Sequence, residues 1–394
     1  MPDHIGRNDR WNRKADRVIM SVTIGEIKKQ NRNNIYSIIH REGNLSKQQI
    51  VNRLRLSLPT VTMNINELLY EKLIEESGPS ISAVGRKAIT YTINRKAKIA
   101  FGIDITKNHI TVLSLNLAGE TLSRNRVTRK FSLNDSYYQY VGKLLKAQVE
   151  DNGFTDDQIL GVGIGIPGLT TSEGREIFYG MTMTYFSGLS VENFEKYIPY
   201  NCSFIKDANA ACLAETWLNP EMDDVFYISL SNYVGGSVRL YGEPYGGNGP
   251  RSGEIGHIRI IPNGKKCYCG QKGCVDPYCS ALRLLENMGE NEDLNVFFQK
   301  LEQKDPECEN RFCSYLNYLA LAVNNTRMLF DCNIILGGYV GAFMDVHLDK
   351  LKKLLTNLTP FEDNADYVQV CKWKNDAIAA GAAILFIDDF IKSI

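Results

Sequence analysis

Residues 251–280 read RSGEIGHIRIIPNGKKCYCGQKGCVDPYCS, and they constrain the fold more than any other stretch. They place His257, Cys267, Cys269 and Cys274 within 18 residues. Gly264, Gly270 and Gly273 lie between these side chains and let the backbone turn sharply enough to aim them at one point. One imidazole and three thiolates complete a tetrahedral set, the usual closed structural zinc site. Soft sulfur ligands favour zinc over magnesium or calcium. The competing reading is four unrelated buried residues, since free cysteines are often buried. Three cysteines inside eight residues of glycine-rich, poorly hydrophobic sequence do not read as core. Glu254 precedes the histidine and Asp276 follows the last cysteine, so a zinc knot would hold two carboxylates at fixed positions.

A chain of 394 residues is long enough for two or three domains. Its net charge of zero hides an asymmetry. Residues 1–98 carry 18 Lys and Arg against 9 Asp and Glu, and residues 99–394 carry 27 against 36. A basic head on an acidic body suggests nucleic-acid contact at one end and different business at the other. The polar start, MPDHIGRNDRWNRKADR, does not read as a signal peptide. No apolar run approaches the roughly 18 residues needed to span a bilayer. With ten cysteines and no leader, a reducing, cytoplasmic setting is expected, without membrane contact.

Residues 1–20 read as a mobile arm, and residues 21–95 as a DNA-binding head. Residues 23–40 have a helical apolar spacing that Gly43 stops. Ser46 and Gln49 form a capping box for a second helix. After a short break, Ser57 is a plausible N-cap and Pro59 suits the first turn of a third helix running to about Glu71. Helix, tight turn and helix make a helix-turn-helix. Ser57, Thr60, Thr62, Met63 and Asn64, with Asn66 beside them, are the side chains offered to a major groove. Asn pairs bidentately with adenine, and Thr or Met can meet a thymine methyl. Residues 78–94 then read as a hairpin wing, with Arg86 and Lys87 at its tip for a minor groove or phosphate.

The body reads as α/β. Ile99–Ile103 is a strand ending at Asp104, and residues 159–168 are a buried strand running into the Pro167-Gly168 turn. Further strands are expected at residues 202–207, 225–230, 235–240 and 334–338, each near a glycine turn or helix start. Helices are expected at residues 136–150, 208–217, 280–288, 294–300, 312–330 and 376–390. Glycine turns at strand ends place a site there.

These motifs carry a family resemblance. Ile-Asp104-Ile, Gly163-Ile-Gly165-Ile-Pro167-Gly168, Asp207-Ala-Asn209-Ala-Ala, Gly253-Glu254-Ile-Gly256-His257 and Cys267-x-Cys269-Gly270-x-x-Gly273-Cys274-x-Asp276 together resemble the ROK family of repressors, open reading frames and sugar kinases. The resemblance implies an actin-like, ribonuclease H-like body of two α/β lobes, with a winged helix-turn-helix head. Residues 99–205 and 376–394 would form the small lobe, and residues 206–375 the large lobe with the zinc site. It implies a sugar in the cleft, met by Gly168, Lys206, Asp207, Glu254, His257 and Asp276. It also implies operator DNA as a partner and a homodimer or homotetramer.

Phosphoryl transfer would need a carboxylate base and backbone-lined glycine loops for ATP. Asp207 matches the family's base. The loops depart from the family's pattern. Asp104-Ile-Thr-Lys-Asn lacks the two glycines of Asp-x-Gly-Gly-Thr. Ser231-Asn-Tyr-Val-Gly-Gly carries side chains where Gly-Thr-Gly-x-Gly-Gly brings backbone to phosphate. Lys206 replaces an asparagine, which admits an acidic sugar, and Asp276 replaces a glutamate. The expectation is a sugar-responsive repressor with Asp207 as a vestigial base and no kinase activity. The alternatives are an active sugar kinase carrying a head, or a DNA-binding protein whose body is only a dimerisation scaffold.

Overall fold

The computed structural model describes residues 24–79, 88–180, 187–217, 219–289 and 292–394. The expected arm at residues 1–20 and the wing-tip residues Arg86 and Lys87 lie outside them. The chain divides into two compact units, one of residues 1–93 with Ile391–Ile394 and one of Asn94–Phe390.

The first unit is the expected winged helix-turn-helix. Helix α1 (Ile24–Glu42) ends at Gly43, whose φ of 77° suits glycine. Helix α2 (Lys47–Leu54) starts in the expected capping box. Ser46 Oγ accepts from the Gln49 N–H at 3.3 Å, and Gln49 Oε1 accepts from the Ser46 N–H at 2.8 Å. Helix α3 (Leu58–Tyr70) is capped by Ser57, with Pro59 in its first turn. Ile35, Ile39, Ile50, Val61, Ile65 and Leu68 are fully buried and tie the three helices together. Strands β1 (Leu45–Ser46), β2 (Ile74–Pro79) and β3 (Ile89–Ile93) pair in the order β1-β3-β2, all antiparallel. The last four residues group with this unit rather than with the small lobe, where Asn33 Nδ2 donates to the Ile391 carbonyl.

The second unit holds two five-stranded sheets. The first uses β4 (Ile99–Ile105), β5 (His109–Asn116), β6 (Thr121–Thr128), β7 (Ile159–Ile166) and, after short β8 (Leu169–Thr170), β9 (Glu176–Tyr179) and β10 (Leu189–Ser190), β11 (Cys202–Lys206). The second uses β12 (Val225–Leu230), β13 (Val234–Leu240), β14 (Glu243–Pro244), β15 (Asn333–Gly337) and β16 (Val368–Val370). Their orders are β11-β7-β4-β5-β6 and β14-β13-β12-β15-β16. Each is an antiparallel meander of three strands extended by two parallel strands beside the first. The same topology twice is the actin-like plan. Helix α4 (Asp135–Asn152) covers the first sheet, and β11 leads directly into α6 (Asp207–Thr216), with short α5 (Glu192–Glu195) between α4 and β11.

The helix expected at residues 280–288 is instead two short turns, α7 (Asp276–Cys279) and α8 (Ala281–Leu284). Ser280 between them is extended, with ψ of 159°, and breaks the run. Helices α9 (Leu294–Glu302), α10 (Pro306–Phe330) and α12 (Leu348–Thr356), with short α11 (Gly338–Gly341), complete the large lobe.

The closing helix α13 (Ala377–Ser393) lies against β4 and β7 with backbone touching backbone. A Cβ on Gly102 would stand 1.7 Å from the Ala379 carbonyl oxygen, and one on Gly163 would stand 1.9 Å from that of Ala382. Paired Gly102 and Gly163 thus form a flat bed for an alanine-rich helix face. The opposing atoms are backbone, so no rotamer change relieves an added methyl. Gly163→Ala is expected to cost about 3 kcal/mol in urea unfolding. Gly246→Ala, with open space around the new Cβ, should stay within about 0.5 kcal/mol.

Candidate functional site

A cavity of about 720 Å³ lies in the second unit between the two lobes. Strand β7 delivers the Pro167-Gly168 turn to its edge, and β11 ends at Lys206 with α6 beginning at Asp207. Glu254 and His257 come from the turn that follows Gly253. Lys206 is buried, and its Nζ lies 2.5 Å from Glu254 Oε1 and 3.3 Å from the Gly236 carbonyl oxygen. The ammonium is therefore neutralised within the protein and linked across the lobes.

Asp207 accepts from the Ala208 N–H at 2.8 Å. Burial pushes its pKa up, against the pull of Lys206 and this hydrogen bond. Asp104, within electrostatic reach on β4, is pushed up to about 7, mainly by burial and then by the Asp207 charge, with Arg126 opposing. One Asp104 carboxyl oxygen is buried with no hydrogen-bond partner. The two carboxyls thus disfavour being ionised together.

The turns that would face phosphates are satisfied from within. The Thr106 N–H donates to the His109 carbonyl at 3.0 Å, and the His109 N–H donates to Thr106 Oγ1 at 3.0 Å. In the other turn the Val234 N–H donates to Asp276 Oδ2 at 2.8 Å.

The cysteine-rich stretch folds as expected into one cluster. The ligand atoms of His257, Cys267, Cys269 and Cys274 all lie within 4.8 Å of one another. Cys269 Sγ and Cys274 Sγ are 3.9 Å apart, and Cys267 Sγ lies 3.8 Å from His257 Nδ1. A tetrahedral ion with metal–sulfur bonds of about 2.3 Å has ligand–ligand edges of about 3.8 Å. The donor set therefore fits a metal ion. Gly270 and Gly273 have φ of 87° and 80°, and a Cβ on Gly273 would strike the Ile261 carbonyl at 1.7 Å. Tyr268 sits between two of the cysteines, and its hydroxyl lies 3.1 Å from His257 Nε2. Its ring meets Tyr233 edge-on at 4.8 Å between centroids.

Of the expected cleft residues, Gly168, Lys206, Asp207, Glu254 and His257 line the cavity. Asp276 does not. It opens α7, where it is buried and spent on the Val234 amide 42 positions away, and burial pushes its pKa up to about 6. In the head, Asn64 is also corrected. It is fully buried, and its Nδ2 donates to the Thr60 carbonyl at 2.8 Å, so it reads no base. Ser57 and Thr60 hydrogen-bond each other at 2.8 Å in the cap. Thr62 is half-buried, while Met63 and Asn66 are exposed. The expectation did not include Phe178, Tyr179 and Tyr268 on the cavity wall. Tyr233 was noted only as an obstacle to phosphate.

A doubled actin-like topology around an interlobe cavity defines the class of two-lobed sugar-kinase-like bodies. The ROK family model matches residues 100–389, and the chain belongs to the ROK family. It is similar to the xylose repressor of Caldicellulosiruptor bescii, 21% identical over 369 residues that cover 88% of this chain and 92% of the relative. The fold is similar to that of a ROK family transcriptional regulator described as a homologue of the Escherichia coli MLC protein, with 20% identity and a TM-score of 0.74, covering 93% of this chain and 97% of the other. It is also similar to a ROK family glucokinase from Streptomyces griseus solved with glucose and AMPPNP, with 20% identity and a TM-score of 0.58, covering 73% of this chain and 98% of the other.

The raised Asp104 pKa fixes the sign of a pH effect. The folded state keeps a proton that the unfolded chain loses near pH 4. Stability from this group therefore falls as pH rises from about 4 to about 7, and the penalty is complete above that. Asp104→Asn should raise the melting temperature clearly at pH 8 and hardly at all at pH 4.5. Equal shifts at both pH values would mean that the carboxyl is not held protonated.

Proposed function

We propose that this chain is a sugar-responsive DNA-binding repressor, a homodimer or homotetramer, whose body senses a saccharide and transfers no phosphoryl group. The observation that carries this reading is one pairing. A winged helix-turn-helix unit is joined to a ROK body whose two expected phosphate turns lack the family's glycines. Amides at those turns are already engaged, those of Thr106 and His109 with each other's residue and that of Val234 with Asp276. Anion binding by backbone requires free N–H groups and glycine at the points of approach. The xylose-repressor likeness over nearly the whole chain supports the same reading. So does the cleft, where Asp207, Glu254 and His257 offer polar atoms to sugar hydroxyls.

Lys206 by itself gives no reason to expect an acidic sugar, since its charge is already matched by Glu254, and Arg251 and Asp207 add one charge of each sign to the lining. The effector is a neutral saccharide. Zinc at His257, Cys267, Cys269 and Cys274 would act as a structural crosslink, supported by the tetrahedral edge lengths. His257 and Tyr268 then hold the cavity wall at a fixed distance from Glu254. The ten free cysteines suit the reducing cytoplasm, where a DNA-binding protein works.

Enrichment of random duplexes on the full-length protein should yield an inverted repeat with half-sites about one helical turn, or a multiple of it, apart. The cognate sugar should weaken that binding in a gel shift. Met63→Ala and Asn66→Ala should weaken operator binding several-fold with little change in melting temperature. Asn64→Ala should lower the melting temperature of the head, since it removes a buried hydrogen-bonding side chain. A coupled assay over a sugar panel with ATP should show no turnover. A rate of about 1 per second, ordinary for kinases, would restore the enzyme reading.

Metal analysis should find one zinc per chain. Cys269→Ser should lower that content and blunt the sugar response in the gel shift, while sugar-free operator binding persists. An undiminished response in a zinc-free variant would separate the knuckle from sensing.

A further inference from the structure

The cavity is lined by two kinds of side chain. Lys206, Asp207, Arg251, Glu254 and His257 supply charged and polar atoms. Phe178 and Tyr179 from the small lobe, and Tyr233 and Tyr268 from the large lobe, add four aromatic rings, and the two kinds adjoin where the Tyr268 ring meets that of His257. Phe178, Tyr179 and Tyr268 keep 38%, 44% and 39% of their surface exposed, although large aromatic side chains gain by burial. These rings are not a packed core. They are apolar faces turned toward a space that a ligand can fill.

Size points the same way. A cavity of about 720 Å³ lies in the upper part of the range, roughly 300–1,000 Å³, that houses multi-ring ligands. It is several times the volume of one pyranose. A single sugar satisfied by Asp207, Glu254 and His257 would leave much of the aromatic lining uncovered. A second pyranose presents a face of C–H groups that covers apolar rings while its hydroxyls point outward. Tyr233 is central to this arrangement. It stands where the family's kinases keep the chain bare for phosphate, and the edge-on contact with Tyr268 holds it in place.

We infer that the effector of this cleft is a saccharide of two linked rings. The first ring is held at Asp207, Glu254 and His257, and the second is stacked on the aromatic lining at Tyr233 and Tyr268. The inference rests on the reading of the cleft as a neutral-sugar sensor and adds the size class of the ligand. It also gives the tyrosine in the former phosphate turn a binding role, so that turn changes from nucleotide contact to sugar contact.

Calorimetry on the full-length protein with matched pairs tests it: xylose and xylobiose, glucose with cellobiose and maltose, and N-acetylglucosamine and chitobiose. At least one two-ring sugar should bind tenfold or more tightly than its own monomer. Tyr233→Ala should shrink that ratio to threefold or less, and Phe178→Ala, on the other lobe, serves as the second variant should the first not fold. A monosaccharide that binds as tightly as its dimer overturns the two-ring inference and leaves the sensor reading standing. If no sugar binds at all, both fall. Displacement of a bound dimer by AMPPNP would assign the aromatic lining to a nucleotide instead, which also overturns the inference.

Discussion

The cleft depends on the ion pair between Lys206 and Glu254. Its two ends come from different lobes, Lys206 from the edge strand β11 of the first sheet and Glu254 from the turn at Gly253, beyond β14 of the second. A buried ammonium is costly unless its partners are close and well placed, and here a carboxylate and a carbonyl meet it. Removing Glu254 alone would strand a charge in a buried setting, which is far more damaging than losing an exposed pair. The pair therefore links the two lobes at the point where Asp207 begins α6. It also sets the local electrostatics. Lys206 lowers the cost of ionising Asp207, while burial and Glu254 raise it. With Arg251 also on the lining, the site carries two charged groups of each sign, which on the proposed reading suits a neutral polyol.

Around that link the body is built by repetition. Two sheets with the same strand order meet across the cavity, and each offers turns at the ends of parallel strands. The doubling explains why functional groups converge from distant parts of the chain. Tyr179 ends β9 and Tyr233 lies in the turn between β12 and β13, and no local pattern links them. The glycine bed of Gly102 and Gly163 beneath α13 keeps the first sheet rigid at its centre. A ligand can then move lobes as bodies rather than deform one of them.

Much of this was legible in sequence, and the failures have physical reasons. The His–Cys cluster was legible because its four side chains and the glycines that bend the chain between them are local. The two helix caps were legible because capping joins residues three apart. Asn64 could have been read correctly and was not. Val61, Asn64, Ile65 and Leu68 fall at i, i+3, i+4 and i+7, one face of a helix, so periodicity places Asn64 with the core. The residue type, a favoured reader of adenine, outweighed that spacing. Asp276 was different in kind. Its partner is an amide 42 positions upstream, which only the folded turn brings near. Strand β6 was missed because its side chains run exposed and half-buried with little apolar contrast. The aromatic wall needed both lobes in place before its four rings could share one cavity.

On the proposed reading, the residues that crowd the phosphate turn also serve sensing, and this follows from the thermodynamics of coupled sites. A ligand shifts an equilibrium only by the difference in its affinity for the two states, however tightly it binds either one. A single polar wall on one lobe gives little such difference, because the ligand keeps those contacts whether the cleft is wide or narrow. Rings contributed from both lobes change that. Phe178 and Tyr179 on one side, and Tyr233 and Tyr268 on the other, can enclose a ligand together only at one lobe separation. Their contact with the ligand is then strongly state-dependent, and the apolar area they bury becomes coupling free energy. A glycine in place of Tyr233 would restore room for phosphate and remove one jaw of that clamp. On the proposed reading, the loss of nucleotide geometry and the gain of a lobe-sensitive sugar contact are one structural change at one turn.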